Sequence, residues 1–345
     1  MNRRAFVASS TAFATASIAS MKPNIKFGVD LFSIRNSNYT AFEYLDHCAR
    51  LGAEVVHFSE LRFLGGLEPA HLKQVRAHAE KLGIALEIGM LSICETSKRF
   101  DPAQGTAVEQ LSRVIEGARV AGSKLVRCVL GSMDDRRTVV PLDQHIENCV
   151  KTLRAVRSRA QDAGLKIAVE NHAGDLQARE LKMLIEAAGK DTVGACLDSG
   201  NPVWALEDPH LTLETLAPYV LTSHVRDSYL WRTEEGLFVQ WMRMGEGNIK
   251  IGEWVKKYVQ LCPGKALSME IICFGPRIFK VQDPQFWEAY QRMPAWEYSR
   301  FISYADRAQP LTPYVNPAKD QVAAAQQSDL AVSAAYTRSV LGAVA

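Results

Sequence analysis

The sequence predicts a closed parallel (β/α)₈ barrel. The chain has 345 residues, enough for one large α/β domain, since barrels of this type need about 250 residues before insertions. Eight short apolar runs alternate with amphipathic helical patterns along residues 21–308, the predicted barrel domain. Four of the later runs end in an acidic or imidazole side chain, and charged strand ends spread over several units suit the rim of a barrel.

The eight predicted strands share β-branched and apolar residues over a short length, which is typical of buried strands. They are 25–32, 53–58, 85–90, 124–130, 166–170, 193–198, 219–224 and 266–272. The predicted helices lie between them, and proline in the first turn or glycine at the end marks several of their bounds. They are 42–51, 69–82, 106–120, 142–163, 176–188, 211–216 and 251–261.

A doubly wound open sheet is the competing architecture. It would usually carry a glycine-rich phosphate turn after its first strand, whereas this chain has Phe32-Ser33-Ile34-Arg35 there. After the seventh strand comes a long loop, Ser228–Asn248, which is rich in aromatic residues. A loop of that length usually serves as a lid or a binding loop.

Both ends of the chain are predicted to lie outside the barrel. Residues 1–20 begin with Arg3-Arg4 and continue with small and apolar residues, which predicts a twin-arginine export signal and a periplasmic protein. Residues 309–345 form a proline-punctuated linker and an alanine-rich, helix-prone tail. This extension packs on the barrel, contacts another copy or a different subunit, or is disordered.

The charge pattern limits the partners. The formal net charge is +2, and lysine and arginine are scattered along the chain. This distribution lacks the clustered basic footprint of a nucleic-acid-binding protein. The chain also lacks a long apolar span, so we expect neither nucleic acid nor a membrane as partner.

Four strand ends carry potential metal ligands: Glu170, Asp198, His224 and Glu270. Their separations are 28, 26 and 46 residues (198−170, 224−198 and 270−224). The first two match one strand–helix unit each, and the third fits a unit with a long loop. Three carboxylates and one imidazole from successive parallel strands predict an oxygen-rich site for one divalent metal.

Such a site suits proton transfer on a sugar. Isomerisation or epimerisation removes a proton from the carbon next to a carbonyl, and a hard cation stabilises the resulting enediolate. Glu170 and Glu270 come from different strands, so we assign them acid–base roles as well as metal binding. His172 lies two residues after Glu170 on the same strand face and is a further acid–base candidate.

Four motifs together resemble the xylose-isomerase-like sugar isomerase/epimerase superfamily. They are Ala-Val-Glu-Asn-His (168–172), Cys-Leu-Asp-Ser-Gly-Asn-Pro (196–202), Ser-His-Val-Arg-Asp (223–227) and Met-Gly-Glu-Gly-Asn-Ile (244–249). The resemblance covers roughly residues 25–305. It implies a barrel with one divalent metal, commonly manganese, on the four ligands named above; Mg²⁺, Co²⁺ and Zn²⁺ are the alternatives.

Further residues of these motifs and of the long loop are predicted to contact a carbohydrate substrate. They are Asn201, Arg226, Asp227, Glu246 and Trp241. Arg226 and Asp227 would otherwise hold the metal ligands in place, and Trp241 would otherwise anchor its loop.

The leading hypothesis is a metal-dependent isomerase or epimerase of an unphosphorylated sugar, because sugar phosphates are mainly cytoplasmic. The alternative is a lyase that cleaves 3-keto-glycosides by β-elimination, for which the aromatic loop leaves room for an aglycone. A nuclease with a similar barrel would need about three zinc ions and more than the eight histidines present. A non-catalytic sugar-binding module would be expected to lack one of the four ligands.

Overall fold

Eight parallel strands close into a barrel in the computed structural model, which describes residues 25–343. The strands in that part of the chain are β1 (Lys26–Asp30), β2 (Val55–Phe58), β3 (Ala85–Ser92), β4 (Leu125–Val129), β5 (Lys166–Glu170), β6 (Val193–Asp198), β7 (Val220–Val225), β8 (Asp227–Thr233), β9 (Gly236–Met242), β10 (Ala266–Met269) and β11 (Arg277–Phe279). The barrel order is β1-β10-β7-β6-β5-β4-β3-β2, which confirms the predicted fold class.

Helices connect the barrel strands and cover their outer side. They are α1 (Ala41–Arg50), α2 (Leu61–Leu64), α3 (Pro69–Leu82), α4 (Ala107–Ala121), α5 (Leu142–Ala155), α6 (Arg157–Asp162), α7 (Ala178–Ala188), α8 (Pro209–Leu216), α9 (Ile251–Leu261), α10 (Ala295–Asp306) and α11 (Val322–Gly342).

Local sequence signals fix several helix bounds. Thr40 and Thr106 each form a capping box with a glutamate three residues later, so α1 and α4 begin where their first backbone N–H groups find acceptors. The helix predicted over 142–163 is in fact two helices, because the backbone leaves helical geometry at Val156 (φ −97°, ψ 0°).

The segment predicted as a long loop after the seventh strand is largely an antiparallel hairpin. β8 and β9 pair from Asp227↔Met242 to Thr233↔Gly236, and β11 adds a third strand. Trp231 and Phe238 pair on this hairpin, with ring centroids 5.2 Å apart, and both are buried. The hairpin therefore has its own packed apolar face in addition to any residue that it presents to a cavity.

The C-terminal helix α11 packs on the barrel, one of the arrangements that the sequence left open. Leu330 and Ala334 are buried, and Arg243 donates a hydrogen bond to Asp329 (2.7 Å). Thr337 reaches the sulfur of Met269, the last residue of β10. Because Glu270 follows directly, α11 supports the strand end that carries a predicted metal ligand.

The predicted export signal, residues 1–20, lies outside the described residues. Within residues 25–343, no helix combines the length and apolar composition that a bilayer crossing requires.

Packing of α11 predicts a position-specific stability loss. Leu330 is fully buried, whereas Val332 on the same helix is 45% exposed. Leu330→Ala is expected to lower the free energy of unfolding by about 2–5 kcal/mol, because it leaves a cavity. Val332→Ala is the matched control and should change it by less than about 0.5 kcal/mol. Urea unfolding measures both; equal small effects would contradict this packing.

Candidate metal centre

Four side chains meet at the carboxyl end of the barrel: Glu170, Asp198, His224 and Glu270. Each offers a ligand atom, and these atoms all lie within 4.8 Å of one another. Strand register brings them together, since β6 and β7 pair Asp198 with His224. The first three are fully buried and Glu270 is 6% exposed. The structure thus gathers the four residues that the sequence proposed as ligands.

The orientation of His224 leaves one ring nitrogen facing the carboxylates. Its Nε2 lies 2.8 Å from Nδ1 of His57, a buried histidine whose pKa burial lowers well below the usual value. The same nitrogen of His224 lies 3.4 Å from Asp30 Oδ2. The other ring nitrogen, Nδ1, faces the carboxylates, 3.0 Å from Glu170 Oε2 and 3.5 Å from Glu270 Oε2. A ligating histidine typically has this arrangement. Burial lowers the pKa of His224, but Cys196, Glu170 and Asp30 outweigh that effect and hold it well above the usual value.

Two buried arginines compensate the carboxylates. Arg127 in β4 donates to Glu170 (Nε to Oε2, 2.6 Å), and Arg226 makes close contacts with both Asp198 and Glu270. Burial opposes ionisation of Glu170, but Arg127 and His224 outweigh that effect and hold its pKa well below the usual value. The sequence analysis missed Arg127; an arginine inside the apolar run Leu-Val-Arg-Cys-Val was the available signal.

A close backbone approach makes room for Arg226. A Cβ on Gly200 would lie 2.2 Å from Cγ of Arg226, so only glycine fits there without displacing the arginine. The guanidinium also lies over the ring of Trp241, 4.3 Å from its centroid. Arg226 therefore contacts the predicted ligands and the cavity wall together.

Asn201 connects two of the predicted ligands. Its side-chain amide donates to Glu170 Oε1 (3.0 Å), and its backbone N–H donates to Asp198 Oδ1 (2.6 Å). The Asp198 oxygen also accepts from the Gly200 N–H (2.7 Å). These bonds fix both carboxylates at the strand ends, and Asn201 additionally lines the cavity described next.

A cavity of about 220 Å³ opens beside this centre. Its walls include predicted site residues and an aromatic pair: His172, Asn201, Trp204, Arg226, Trp241 and Glu270. Trp204 and Trp241 stack, with centroids 4.0 Å apart and an angle of 8° between their planes. The Trp241 indole is fixed by a hydrogen bond to the Gly200 carbonyl (3.0 Å). The hairpin thus contributes Trp241 to the cavity wall.

His172 lies in the cavity wall as a neutral imidazole. Burial lowers its pKa to about 4, and its Nδ1–H donates to the Gly131 carbonyl (2.6 Å), which leaves Nε2 as an acceptor. Asp175 holds this turn, because it accepts from the backbone N–H groups of Gly131 and His172 (3.0 and 2.8 Å). The sequence analysis did not identify Asp175; its side chain carries no signal outside the folded turn.

The structure does not place Asp227 or Glu246 in the cavity wall. Asp227 is fully buried, and its carboxylate accepts from the backbone N–H groups of Ser228, Gly245 and Gly247 (2.8–3.0 Å). It therefore closes the 244–248 turn onto β8. Glu246 is half exposed and lies 3.6 Å from Arg243. The substrate contact of these two residues stays a prediction from the motifs.

The donor set fits a divalent cation. Three carboxylates and a correctly oriented imidazole nitrogen, all within one coordination sphere, are ligands that Mn²⁺, Mg²⁺, Co²⁺ and Zn²⁺ accept. His57 and the arginines supply the outer contacts that such ligands usually have.

The family model for the xylose isomerase-like TIM barrel matches residues 45–276, more than half of the chain. The protein belongs to this family.

Two curated relatives match part of the chain. The 3-oxo-isoapionate decarboxylase of Pectobacterium atrosepticum is 27% identical over 190 residues, which cover 55% of this chain and 62% of the relative. An uncharacterised protein of Escherichia coli is 29% identical over 120 residues, which cover 35% of this chain and 32% of the relative. The chain thus matches less than two thirds of the length of either relative.

Solved structures share the fold at low identity. D-psicose 3-epimerase from Clostridium cellulolyticum H10 with D-tagatose has a TM-score of 0.62 at 15% identity, over 92% of this chain and 99% of that chain. The zinc-bound IolI protein has a TM-score of 0.56 at 15% identity, over 81% of this chain and 99% of that chain. These likenesses are evidence for the fold alone.

The bonds of Asp227 predict a structural role for that residue. Asp227→Ala removes the acceptor of three backbone N–H groups and should lower the free energy of unfolding by about 1–3 kcal/mol. Glu246→Ala, one turn away and half exposed, should leave stability within about 0.5 kcal/mol. Thermal unfolding measures both variants. A stable Asp227→Ala protein with a raised KM would instead restore the substrate contact predicted from the motif.

Proposed function

We propose that the protein is a divalent-metal-dependent sugar isomerase or epimerase that acts on an unphosphorylated sugar or sugar derivative through an enediolate. The observation that carries this proposal is the convergence of Glu170, Asp198, His224 and Glu270 beside a cavity that His172 also lines. The family supports a small carbohydrate as substrate, since its structural neighbours include D-psicose 3-epimerase and L-ribulose 3-epimerase.

The bound cation would stabilise negative charge on the carbonyl and hydroxyl oxygens of the sugar. Glu270 lines the cavity and Glu170 lies beneath it, bonded to the cavity residues Arg127 and Asn201. We assign these two carboxylates the removal and return of the proton at carbon. The Nε2 acceptor of His172 would hold or move the proton of a substrate hydroxyl.

The aromatic pair would position the sugar. Trp204 and Trp241 stack on each other, and Arg277 and Arg226 cover their outer faces. The two indoles would therefore contact a sugar through their edges, beside the polar groups of the cavity. Arg226 lies over Trp241 and contacts Glu270, so it would orient a substrate oxygen near the acid–base group.

A carbon–oxygen or carbon–carbon lyase is the second candidate. The P. atrosepticum relative is named a decarboxylase, and decarboxylation also builds negative charge next to a carbonyl. In the 3-keto-glycoside form of this hypothesis, the indole edges of Trp204 and Trp241 would contact an aglycone. A screen of free sugars against 3-keto-glycosides with Mn²⁺, read by product identity, separates the two candidates: an isomer of equal mass supports the isomerase, and two smaller products support the lyase.

Export by the twin-arginine route, a periplasmic location and assembly through the C-terminal extension remain proposals. The first two follow from residues 1–20 and agree with an unphosphorylated substrate.

Replacing the two proton-accepting glutamates should lower turnover much more than it lowers metal binding. We expect Glu170→Gln and Glu270→Gln each to lower turnover by about 10²–10⁴-fold, because an amide oxygen coordinates weakly and cannot accept the proton. Deuterium incorporation from D₂O into the sugar and metal content by mass spectrometry measure the two effects. Glu147→Gln, at an exposed position of α5 outside the cavity, is the control and should change neither. Normal exchange in both variants would refute the assignment.

His172 should affect the rate without affecting the metal. His172→Ala is expected to lower kcat by about 10²-fold, whereas metal content stays at the wild-type level, because the imidazole is oriented by Gly131 and lies outside the four-ligand set. Steady-state kinetics and metal analysis of the same preparation provide the measurement. A near-normal kcat would restrict His172 to a structural role.

A further inference from the structure

The mouth of the cavity carries three arginines without carboxylate partners. Arg99 lines the cavity directly. Arg35 lies over the ring of Phe32 (4.6 Å to the centroid) and Arg277 over the ring of Trp204 (4.1 Å), and both rings line the same cavity. Across residues 25–343, none of the three arginines has a carboxylate oxygen within 4.0 Å, the limit for an ion pair.

The contacts of these arginines leave their charge uncompensated. Arg35 donates to the Phe32 carbonyl (3.1 Å), and Arg277 reaches only the sulfur of Met133 (3.3 Å). In the described part of the chain, the Arg99 guanidinium has no hydrogen bond to protein. Each has free N–H groups in the planar fork that matches a carboxylate.

The neighbouring arginines already have partners. Arg127 is paired with Glu170, Arg226 with Asp198 and Glu270, and Arg62 with Glu60. The carboxylates of the cavity and of the candidate metal centre are thus already in ion pairs with these arginines. The positive charge of the three mouth arginines is therefore in excess of what the cavity needs for its own neutrality.

Grouping these like charges is unfavourable. Burial lowers the pKa of Arg35, and the nearby Arg226 and Arg62 lower it further, although Glu60 opposes the shift. Burial also lowers the pKa of Arg277, with a further lowering from Arg99, although Asp134 opposes the shift. A bound anion would relieve this repulsion, because opposite charge in a partly desolvated site favours the charged guanidinium.

We propose that the cavity binds a sugar that carries a carboxylate, and that Arg99 and Arg277 bind this carboxylate at the mouth. This inference rests on the proposed function, which supplies the sugar and its position beside the metal centre. Because that function concerns an unphosphorylated substrate, the anionic group is a carboxylate, as in an aldonic or uronic acid. Arg35, over the ring of the cavity residue Phe32, adds a longer-range attraction.

Matched pairs of sugars test the proposal by binding alone. The full chain with Mn²⁺ is titrated calorimetrically with D-galacturonate against D-galactose, D-glucuronate against D-glucose, and D-glucose 6-phosphate as the phosphate probe. In at least one pair, the acid should bind about tenfold or more tightly than its neutral partner. The preference should shrink at high ionic strength, since the mouth is open to solvent.

Variants locate the effect. Arg99→Gln and Arg277→Gln remove exposed side chains and should each reduce the preference for the acid by about tenfold, with little change for the neutral sugar. Arg159→Gln, an exposed arginine on α6 outside this cavity, removes the same charge and should leave the preference unchanged.

Three results would overturn the proposal: no acid binds more tightly than its neutral partner, the preference survives both variants, or the phosphate binds more tightly than the carboxylates. Failure of the proposed function gives a different result. In that case the acid preference persists and depends on Arg99, but no sugar of the panel exchanges a carbon-bound hydrogen with D₂O or yields an isomer.

Discussion

Concentrated negative charge in a buried place is the constraint on which the rest of the structure depends. Glu170, Asp198 and Glu270 meet at one end of the barrel, where water is largely excluded. Each buried ion costs several kcal/mol unless charges and hydrogen bonds compensate it. Arg127 and Arg226 supply the positive charge. The buried carboxylates are therefore held in contact with opposite charge.

Supporting groups outside the cluster determine how its members point. His57 fixes the ring of His224, and the Asp175 carboxylate fixes the turn that carries His172. Asp227 closes the 244–248 turn in the same way, through backbone N–H groups. Buried carboxylates thus have two uses at this end of the barrel. Some lie around the candidate metal centre, and others accept hydrogen bonds from backbone N–H groups in irregular loops.

Elements added to the minimal barrel shape the cavity. The β8–β9 hairpin places Trp241 against Trp204, and Arg226 lies on the Trp241 face. Helix α11 packs behind β10, where it contacts Met269 just before Glu270. Trp241 of the hairpin and Arg277 of β11 are properties of the additions, whereas Arg35 and Arg99 follow strands β1 and β3 of the barrel itself.

The sequence by itself predicted the barrel and the four residues that converge at the candidate metal centre. Glu170, Asp198 and His224 each end an apolar run. Because parallel strands in a closed barrel bring their carboxyl ends to one rim, the sequence indicates that these side chains lie close together. Only the tertiary structure decided the roles of Arg127, Asp175 and Asp227. Their partners lie on other strands or on the backbone of folded turns. The sequence alone therefore does not reveal whether such a charged residue pairs with a ligand candidate, accepts hydrogen bonds in a turn or contacts substrate. The loop predicted over 228–248 proved to be a hairpin for a related reason: pairing of β8 with β9 and β11 depends on contacts across the fold.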